Sequence, residues 1–262
     1  MMEIYERKFQ PRVLDIMETE QVKPTSIINY LQESAYEHAY HLGISFQHTF
    51  KQHLTWFLLR YYIEIKRYPV LDEHLILRTW ISNSGPKYSL RDFQIVDEAG
   101  ESLVNASTSW ILYNFIRRKQ VDHNANFSNI PILEQRSVDY DYPKIPLPEK
   151  VDLKAQFKVR YSDLDLNNHV NNRVYLEWAL ESIPRKQLKE YQVNKLEISF
   201  KRQAFYNEDI LVETELRKVK NDEHDIIAYH KISNMKSGVL LTKLVSYWKK
   251  RTAKPKKYWS LG

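Results

Sequence analysis

No cysteine occurs among the 262 residues, which removes disulfides, thiolate metal centres and a cysteine nucleophile together. Glycine is nearly as scarce. The five present (Gly43, Gly85, Gly100, Gly238, Gly262) are too scattered to build a GxGxxG fingerprint, a Walker loop or a GxSxG elbow, so the chain works without those devices. Long apolar runs are missing too, and none of the segments is suited to cross a bilayer as a helix. The opening "MMEIYERKFQ" carries two glutamates and no apolar core of a secretory signal. A cytoplasmic protein with no stable membrane association is the expectation.

What is present is a folded chain's composition, 43% hydrophobic and 27% charged, at a length that suits one large domain or two small ones. Lysine and arginine exceed the acids by 39 to 33, and a formal charge of +6 favours an acidic partner. The basic residues gather at Lys66 and Arg67, at Arg117 to Lys119, at Arg185, Lys186 and Lys189, and in the tail "KKRTAKPKKYWSLG". A solvated surface explains any one cluster. No helix-turn-helix, zinc-ligand or RNP pattern accompanies them, and nucleic acid is not expected.

The chain repeats itself. "YIEIKRYPVLDEHLILRT" and "EISFKRQAFYNEDILVET" align without a gap, Ile63 falling on Ile198 at an offset of 135, and Gly100 and Trp110 find Gly238 and Trp248 at 138. Each unit reads as a helix followed by strands. In the first, helical spacing runs from Ser26 to a stop at Gly43, and strands are expected at 56–66, 73–82, 89–97 and 102–114, with the turn "DEAGES" closing a hairpin. In the second, the helix of "NNRVYLEWALESIP" ends before Pro184 and presents Val174, Tyr175, Trp178, Ala179 and Ser182 on one face. Strands follow at 194–202, 209–218, 225–233 and 239–249. A long helix covering the apolar face of a curled antiparallel sheet suits such a unit, giving an α+β chain in which two copies pair side by side. Its division is 1–116, a Pro-containing linker at 117–150, 151–250, and a basic tail at 251–262.

Between the two kinds of element in the second unit stands "DLDLNNHVNN". It follows what looks like the end of a strand and leads into a helix starting near Val170, where free amides and the dipole favour an oxyanion. Asn171 or Asn172 suits the helix cap. Asp165, Asn167 and His169 are left over, and an extended segment would turn all three to one side. Counting back 145 residues puts Glu20, Val22 and Pro24 at the corresponding places of the first unit, so only one unit carries the triplet. Two other constellations read as structure. His38 and His41 with Glu33 and Glu37 have helical spacing but no neighbouring groups in the pattern to orient them as metal ligands, and Tyr61, Tyr62 and Tyr68 beside Lys66 and Arg67 fit a half-buried strand better than a base-stacking platform.

"RYSDLDLNNHVNNRVYLEWALESIP" resembles the signature segment of the acyl-acyl carrier protein thioesterases. "LQESAYEHAYHLG", "FLLRYYIEIKRYPVLDEHLILRTWISNSG" and "STSWILYN" resemble that family's first half in order and spacing, so the likeness runs from about Tyr5 to Trp248. It implies two tandem hotdog folds and hydrolysis of fatty acyl thioesters of acyl carrier protein, without a cofactor or metal. It also places the catalytic aspartate, asparagine and histidine at Asp165, Asn167 and His169. Where the family commonly has a glutamate followed by a cysteine, this chain has Gln203 and Ala204. Gln203 can hold a water but cannot take its proton.

Thioester hydrolysis needs an activated water or a carboxylate nucleophile, plus donors for the charge on the carbonyl oxygen. Asp165 suits either carboxylate role, with Asn167 and His169 orienting it and the helix-start amides as oxyanion donors. The first unit is then free to shape the acyl pocket, with the strand from Leu54 to Ile65 and the helix around Tyr30 to Leu42 as candidate walls. An acyl-CoA thioesterase and a non-catalytic acyl-binding sensor are the alternatives. Fusion supplies the pairing that single hotdogs obtain by dimerising, so a monomer or a homodimer is allowed.

Overall fold

Runs rich in β-branched and aromatic residues form the strands, and in the computed structural model they do so twice in the same sequence order. Residues 3–251 are described, except 86, 128 and 220–222, so the basic tail beyond Arg251 lies outside the described residues. The strands are β1 (Tyr5–Phe9), β2 (Leu54–Ile65), β3 (Leu75–Ser84), β4 (Ser89–Asp97), β5 (Ser102–Asn114), a short β6 (Lys119–Val121), β7 (Leu153–Lys158), β8 (Tyr191–Phe200), β9 (Asp209–Lys218), β10 (Ile226–Asn234) and β11 (Leu240–Lys250). Helices α1 (Pro24–His41) and α4 (Asn172–Glu181) are the long ones, and α2 (Phe46–Thr49), α3 (His123–Asn126) and α5 (Arg185–Glu190) are short.

The strands join into one antiparallel sheet in the order β1-β3-β4-β5-β2-β8-β11-β10-β9-β7, with β6 beside β5. The order is a mirror: β1 and β7 are the outer edges, and β2 meets β8 in the middle with Tyr61 opposite Ile198 and Ile63 opposite Leu196. That central pairing is the side-by-side contact the duplication requires. Alternate positions along β9 and β10 are buried, and β5 is buried continuously from Leu103 to Ser109.

Helix α1 starts with Pro24 at its first position and stops at Gly43, whose φ of 72° closes the helix while the Ile44 amide donates to the Ala39 carbonyl at 2.9 Å. In α4, Val174, Tyr175, Leu176, Trp178 and Ala179 are buried, as the helical face predicts, and Ser182 ends it before Pro184. One continuous apolar core holds Ile27 and Leu31 of α1, Tyr175 and Trp178 of α4, and Ile63, Phe93, Ile198 and Leu244 of the sheet. The two helices therefore share a core instead of closing separate ones. Full burial of each large aliphatic or aromatic side chain there contributes about 1.5–3 kcal/mol before conformational entropy is subtracted.

Three expectations need correction. The edge strand β1 is not among the expected strands, and the start of β7 is not marked; they are five and six residues long and carry three and two charged residues, so the alternation is too short to stand out. The segment Tyr161–Asp163 is a single 3-10 turn, not the end of a strand, which closes at Lys158. The linker is not a loose connection. After β6 and α3 it runs across the sheet face opposite the helices, anchored at Trp80 (indole N–H to the Gln135 carbonyl, 2.7 Å), Asp92 (from Arg136, 3.0 Å, and the Ser137 amide, 2.7 Å), Ser107 (from Tyr142, 2.7 Å) and Glu197 (from Tyr140). Its last contact is the Glu149 amide on Glu215 at 2.7 Å. The segment is a strap tying the two halves of the sheet together.

Candidate active site

The stretch before α4 opens with an ion pair between a buried carboxylate and an exposed arginine. Asp163 is 1% exposed and accepts from the Arg160 amide at 2.8 Å and the Arg160 side chain at 3.0 Å, which nails the chain down before the turn. Leu164 and Val170 then bridge antiparallel, and the five residues between them form a tight reversal. The Asp165 amide donates to the His169 carbonyl at 2.8 Å, the Asn168 amide donates to the Asp165 carbonyl at 3.0 Å, and Asn168 takes φ 58°, a left-handed conformation asparagine tolerates.

This reversal corrects the expectation of an extended segment presenting three side chains to one side. Asp165 and His169 stand opposite each other at the base of the turn, both half-buried, while Asn167 sits at its exposed tip. The Asp165 carboxylate also accepts from the Asn167 amide at 2.8 Å and, weakly, from the His169 amide at 3.4 Å. It is both the candidate reactive group and the keystone of the turn.

Helix α4 begins at Asn172, two residues later than expected. Asn171 is its cap, accepting from the Arg173 amide at 3.0 Å. The amides proposed as oxyanion donors are engaged: Val170 donates to the Ala204 carbonyl at 3.1 Å, Asn171 to the Asp163 carbonyl at 2.8 Å, and Val174 to the Asn171 carbonyl at 2.9 Å. The physical reason is that the turn must be tied both to α4 and to the sheet, and these amides make the ties.

Gln203 is exposed at the start of the β8–β9 connection. Its neighbour Ala204 is fully buried and is a clamp. The Ala204 carbonyl takes the Val170 amide, and the Ala204 amide donates to the Tyr175 hydroxyl at 2.9 Å. One residue thus couples the Gln203 segment to the His169 side of the turn and to α4. Burial pushes the Tyr175 phenol above its ordinary pKa; the Ala204 hydrogen bond opposes this, and Glu208 and Asp165 add to it. The Tyr175 ring packs edge-on against Trp178 and Phe200, at 5.3 and 5.7 Å. Sequence reasoning missed Tyr175 as a site residue because it reads as a core position of the helix. Around the turn, Tyr161, Leu166, Phe205 and Tyr206 are exposed, and the His169 ring meets Phe205 edge-on at 5.2 Å.

The first half contains the same device, displaced by 148 residues. Asp15 pairs with Arg12 at 3.3 Å, Ile16 bridges Val22, the Met17 amide donates to the Gln21 carbonyl at 2.8 Å, and Glu20 takes φ 62°. The Val22 amide donates to the Pro69 carbonyl at 2.8 Å, as Val170 does to Ala204. The true counterparts of Asp165, Asn167 and His169 are therefore Met17, Thr19 and Gln21, not Glu20, Val22 and Pro24. The signal lay in the sequence: "RVLD" and "RYSD" are 148 apart, as are the closing Glu33-Ser34 and Glu181-Ser182 pairs.

The other candidate clusters are packing. Glu33 pairs with Arg7 at 2.9 Å, Glu37 accepts from Tyr5 at 2.9 Å, and the buried His38 ring faces Arg91 at 2.8 Å, so these groups serve the contact between β1, α1 and β4. Tyr61 and Tyr68 are buried, and Tyr62 stacks on Tyr140 with centroids 3.9 Å apart. Two cavities, about 110 Å³ beside Tyr30 and Leu77 and about 560 Å³ between Glu18 and the Ile183–Lys189 region, are lined by other residues than the turn. No helix among the described residues is long and apolar enough to cross a membrane.

Residues 2–129 match the pattern described as the acyl-ACP thioesterase N-terminal domain, and residues 148–250 match that of the acyl-ACP thioesterase C-terminal domain. A chloroplastic acyl-[acyl-carrier-protein] hydrolase of Cuphea viscosissima is 28% identical over 219 residues, covering 77% of this chain and 52% of its own length. The chain spans about half the length of the curated relatives it matches. Among solved structures, a 12:0-ACP thioesterase from Umbellularia californica superimposes with a TM-score of 0.85 at 20% identity, over 95% of this chain and 94% of that one. An acyl-ACP thioesterase from Bacteroides thetaiotaomicron gives 0.82 at 19%, over 94% and 98%. These likenesses are to the double-hotdog fold.

Proposed function

The chain belongs to the acyl-ACP thioesterase family, whose two domain patterns it carries in order, and from that premise we propose that it hydrolyses fatty acyl-acyl carrier protein thioesters to free fatty acid and carrier protein, ending chain elongation. The observation that carries this reading is the asymmetry of the duplicated turn. Its backbone is built twice, yet only the second copy holds a carboxylate facing a histidine across the base, where the first has Met17 and Gln21.

In the proposed reaction Asp165 takes a proton from water as its oxygen bonds to the thioester carbon, or attacks that carbon itself. The C–S bond then breaks and the leaving thiolate is protonated. A thiolate leaves readily, which lowers the demand on a carboxylate of ordinary basicity. Asn167 and His169 orient Asp165, the water or the carbonyl, and Gln203 holds water at the edge of the site. The first half, whose turn has Met17, Thr19 and Gln21 in place of the triplet, shapes the acyl pocket with β2 and α1. The exposed Leu166, Phe205 and Tyr206 give an apolar rim to a fatty substrate. The reaction belongs where acyl carrier protein is charged, the cytoplasm in this reading.

Free-thiol release from acyl carrier protein and from CoA bearing the same acyl chain tests the proposal, with a higher kcat/KM expected on the carrier protein. That advantage should shrink with added salt, because the carrier is acidic and this chain basic. Absence of thiol release from either substrate overturns the reading and leaves an acyl-binding module.

A further inference from the structure

On the sheet face opposite the helices, Arg60 of β2, Ser199 of β8 and Lys243 of β11 stand directly opposite one another on three adjacent strands, so their side chains share one face. Lys201 follows two residues after Ser199, just past the end of β8, and Lys144 of the strap joins them from above. Among the described residues no carboxylate pairs with any of these four cations, whereas Lys231 on the same sheet has Glu213 at 2.8 Å and Arg217 has Glu215 at 2.6 Å. The crowding registers in their titration: desolvation, then Arg60 and Lys243, hold Lys201 below the ordinary lysine range. Desolvation, then Lys144 and Arg60, do the same to Lys243.

Part of this charge has a structural use. The Arg60 guanidinium donates to the strap carbonyls of Tyr142 (3.4 Å) and Pro143 (2.7 Å), and the Lys243 ammonium donates to that of Ile145 at 3.0 Å. The strap does not use the rest. Arg60 keeps a buried Nε–H and Ser199 a buried hydroxyl, both without a protein partner among the described residues, and the Lys201 and Lys144 side chains are open to solvent. Uncompensated like charges cost stability, and apolar side chains could have held a strap down without them. An anion with several acceptor oxygens, held by the exposed Lys201 and Lys144 above the half-buried Arg60 and buried Lys243 charges, is the complement of this cluster.

We propose that Arg60, Lys144, Lys201, Lys243 and Ser199 form a binding site for a phosphate group, namely the phosphate that ends the pantetheine arm in both acyl carrier protein and CoA. The inference rests on the thioesterase reading above and names how that substrate is held. Lys201 precedes Ala204 by three residues, so it lies within about 11 Å along the chain of the residue that takes the Val170 amide beside His169. An arm running from the turn along the Ala204 to Lys201 segment would reach this cluster, and the phosphate would fix it there without touching the reacting atoms.

The test compares Lys201→Gln with the unchanged protein on three substrates of one acyl chain: acyl carrier protein, acyl-CoA and acyl-pantetheine, which lacks the phosphate. Lys201 is exposed and outside the turn, so the variant should fold. A KM raised roughly ten-fold on both phosphorylated substrates, the order of one charge-assisted hydrogen bond, with kcat unchanged and acyl-pantetheine unaffected, supports the site. Lys144→Gln should act in the same direction. A loss on the carrier protein alone would mean a contact with its surface, a loss on CoA alone a contact with its nucleotide, and an equal loss on all three a disturbed fold; each overturns the proposal, as does no change. Calorimetric titration with inorganic pyrophosphate reads the site without turnover. Binding that Lys201→Gln abolishes supports the site even for a protein that hydrolyses none of the three, and no binding by the unchanged protein overturns it.

Discussion

Replacing Asp165 with asparagine separates the task its carboxylate performs in the turn from the catalytic one proposed for it. The turn needs an acceptor for the Asn167 amide at 2.8 Å and the His169 amide at 3.4 Å, and the asparagine carbonyl oxygen supplies one in the same place. Exchanging a charged acceptor for a neutral one should cost about 1 kcal/mol or less of stability at a half-exposed site. The chemistry needs a group that takes a proton or attacks carbon, and the amide does neither. Loss of a positioned general base lowers turnover roughly 100- to 10,000-fold, about 3–5 kcal/mol on the barrier. Steady-state thiol release from acyl carrier protein, alongside urea denaturation, reads both quantities on one preparation. The expected result is a folded, nearly inactive protein, whereas Gln203→Ala, which removes only a water-holding amide, loses no more than several-fold. An Asp165→Asn protein hydrolysing near the original rate refutes the assignment. So does one whose lost activity tracks several kcal/mol of lost stability, because the turn would then account for everything.

Tyr175→Phe leaves the buried Ala204 amide without an acceptor, so stability should fall by about 1–3 kcal/mol and kcat with it as the Gln203 segment loosens from the turn; an unchanged urea midpoint counts against the clamp. His230 is fully buried between Thr214 and Ser246, both at 2.9 Å, and desolvation pushes its pKa down to about 3. Above pH 6.5 both folded and unfolded imidazoles are neutral and no pH dependence arises. Between about 6.5 and 3 only the unfolded chain binds the proton, so stability falls with pH, by on the order of 4 kcal/mol in all. Urea midpoints from pH 7 to pH 4 should drop more steeply for the unchanged protein than for His230→Gln, and equal slopes would show that the histidine protonates within the fold. Arg136→Ala leaves the fully buried Asp92 with only the Ser137 amide and the Ser107 hydroxyl, at 2.7 and 2.5 Å. A loss of about 3 kcal/mol in chemical denaturation is expected, and a loss below 1 would mean the strap is not held there.

Much of the architecture is carried by neighbours in sequence. Strands at 89–97, 102–114 and 209–218 coincide with their apolar runs, Gly43 ends α1 where only a left-handed residue can, and Asn171 caps α4 as its type predicts. Propensity, capping and side-chain period act over a few residues, so those few residues suffice to encode them. The duplication was legible for the same reason, since matched local patterns survive even where the chemistry diverges. Only the folded chain decided what depends on distant segments meeting. The first half has 13 more residues than the second between its turn and its strands, the difference between offsets of 148 and 135, so no single offset aligns both the turns and the strands. Ala204 reaches Val170 and Tyr175 across 34 and 29 positions, and Arg60, Ser199 and Lys243 become neighbours only when β2, β8 and β11 pair. The sequence determined the elements and the place of the candidate reactive side chains along them, because these are local. Tertiary pairing determined which groups those side chains face, because hydrogen bonds and charges act through space and not along the backbone.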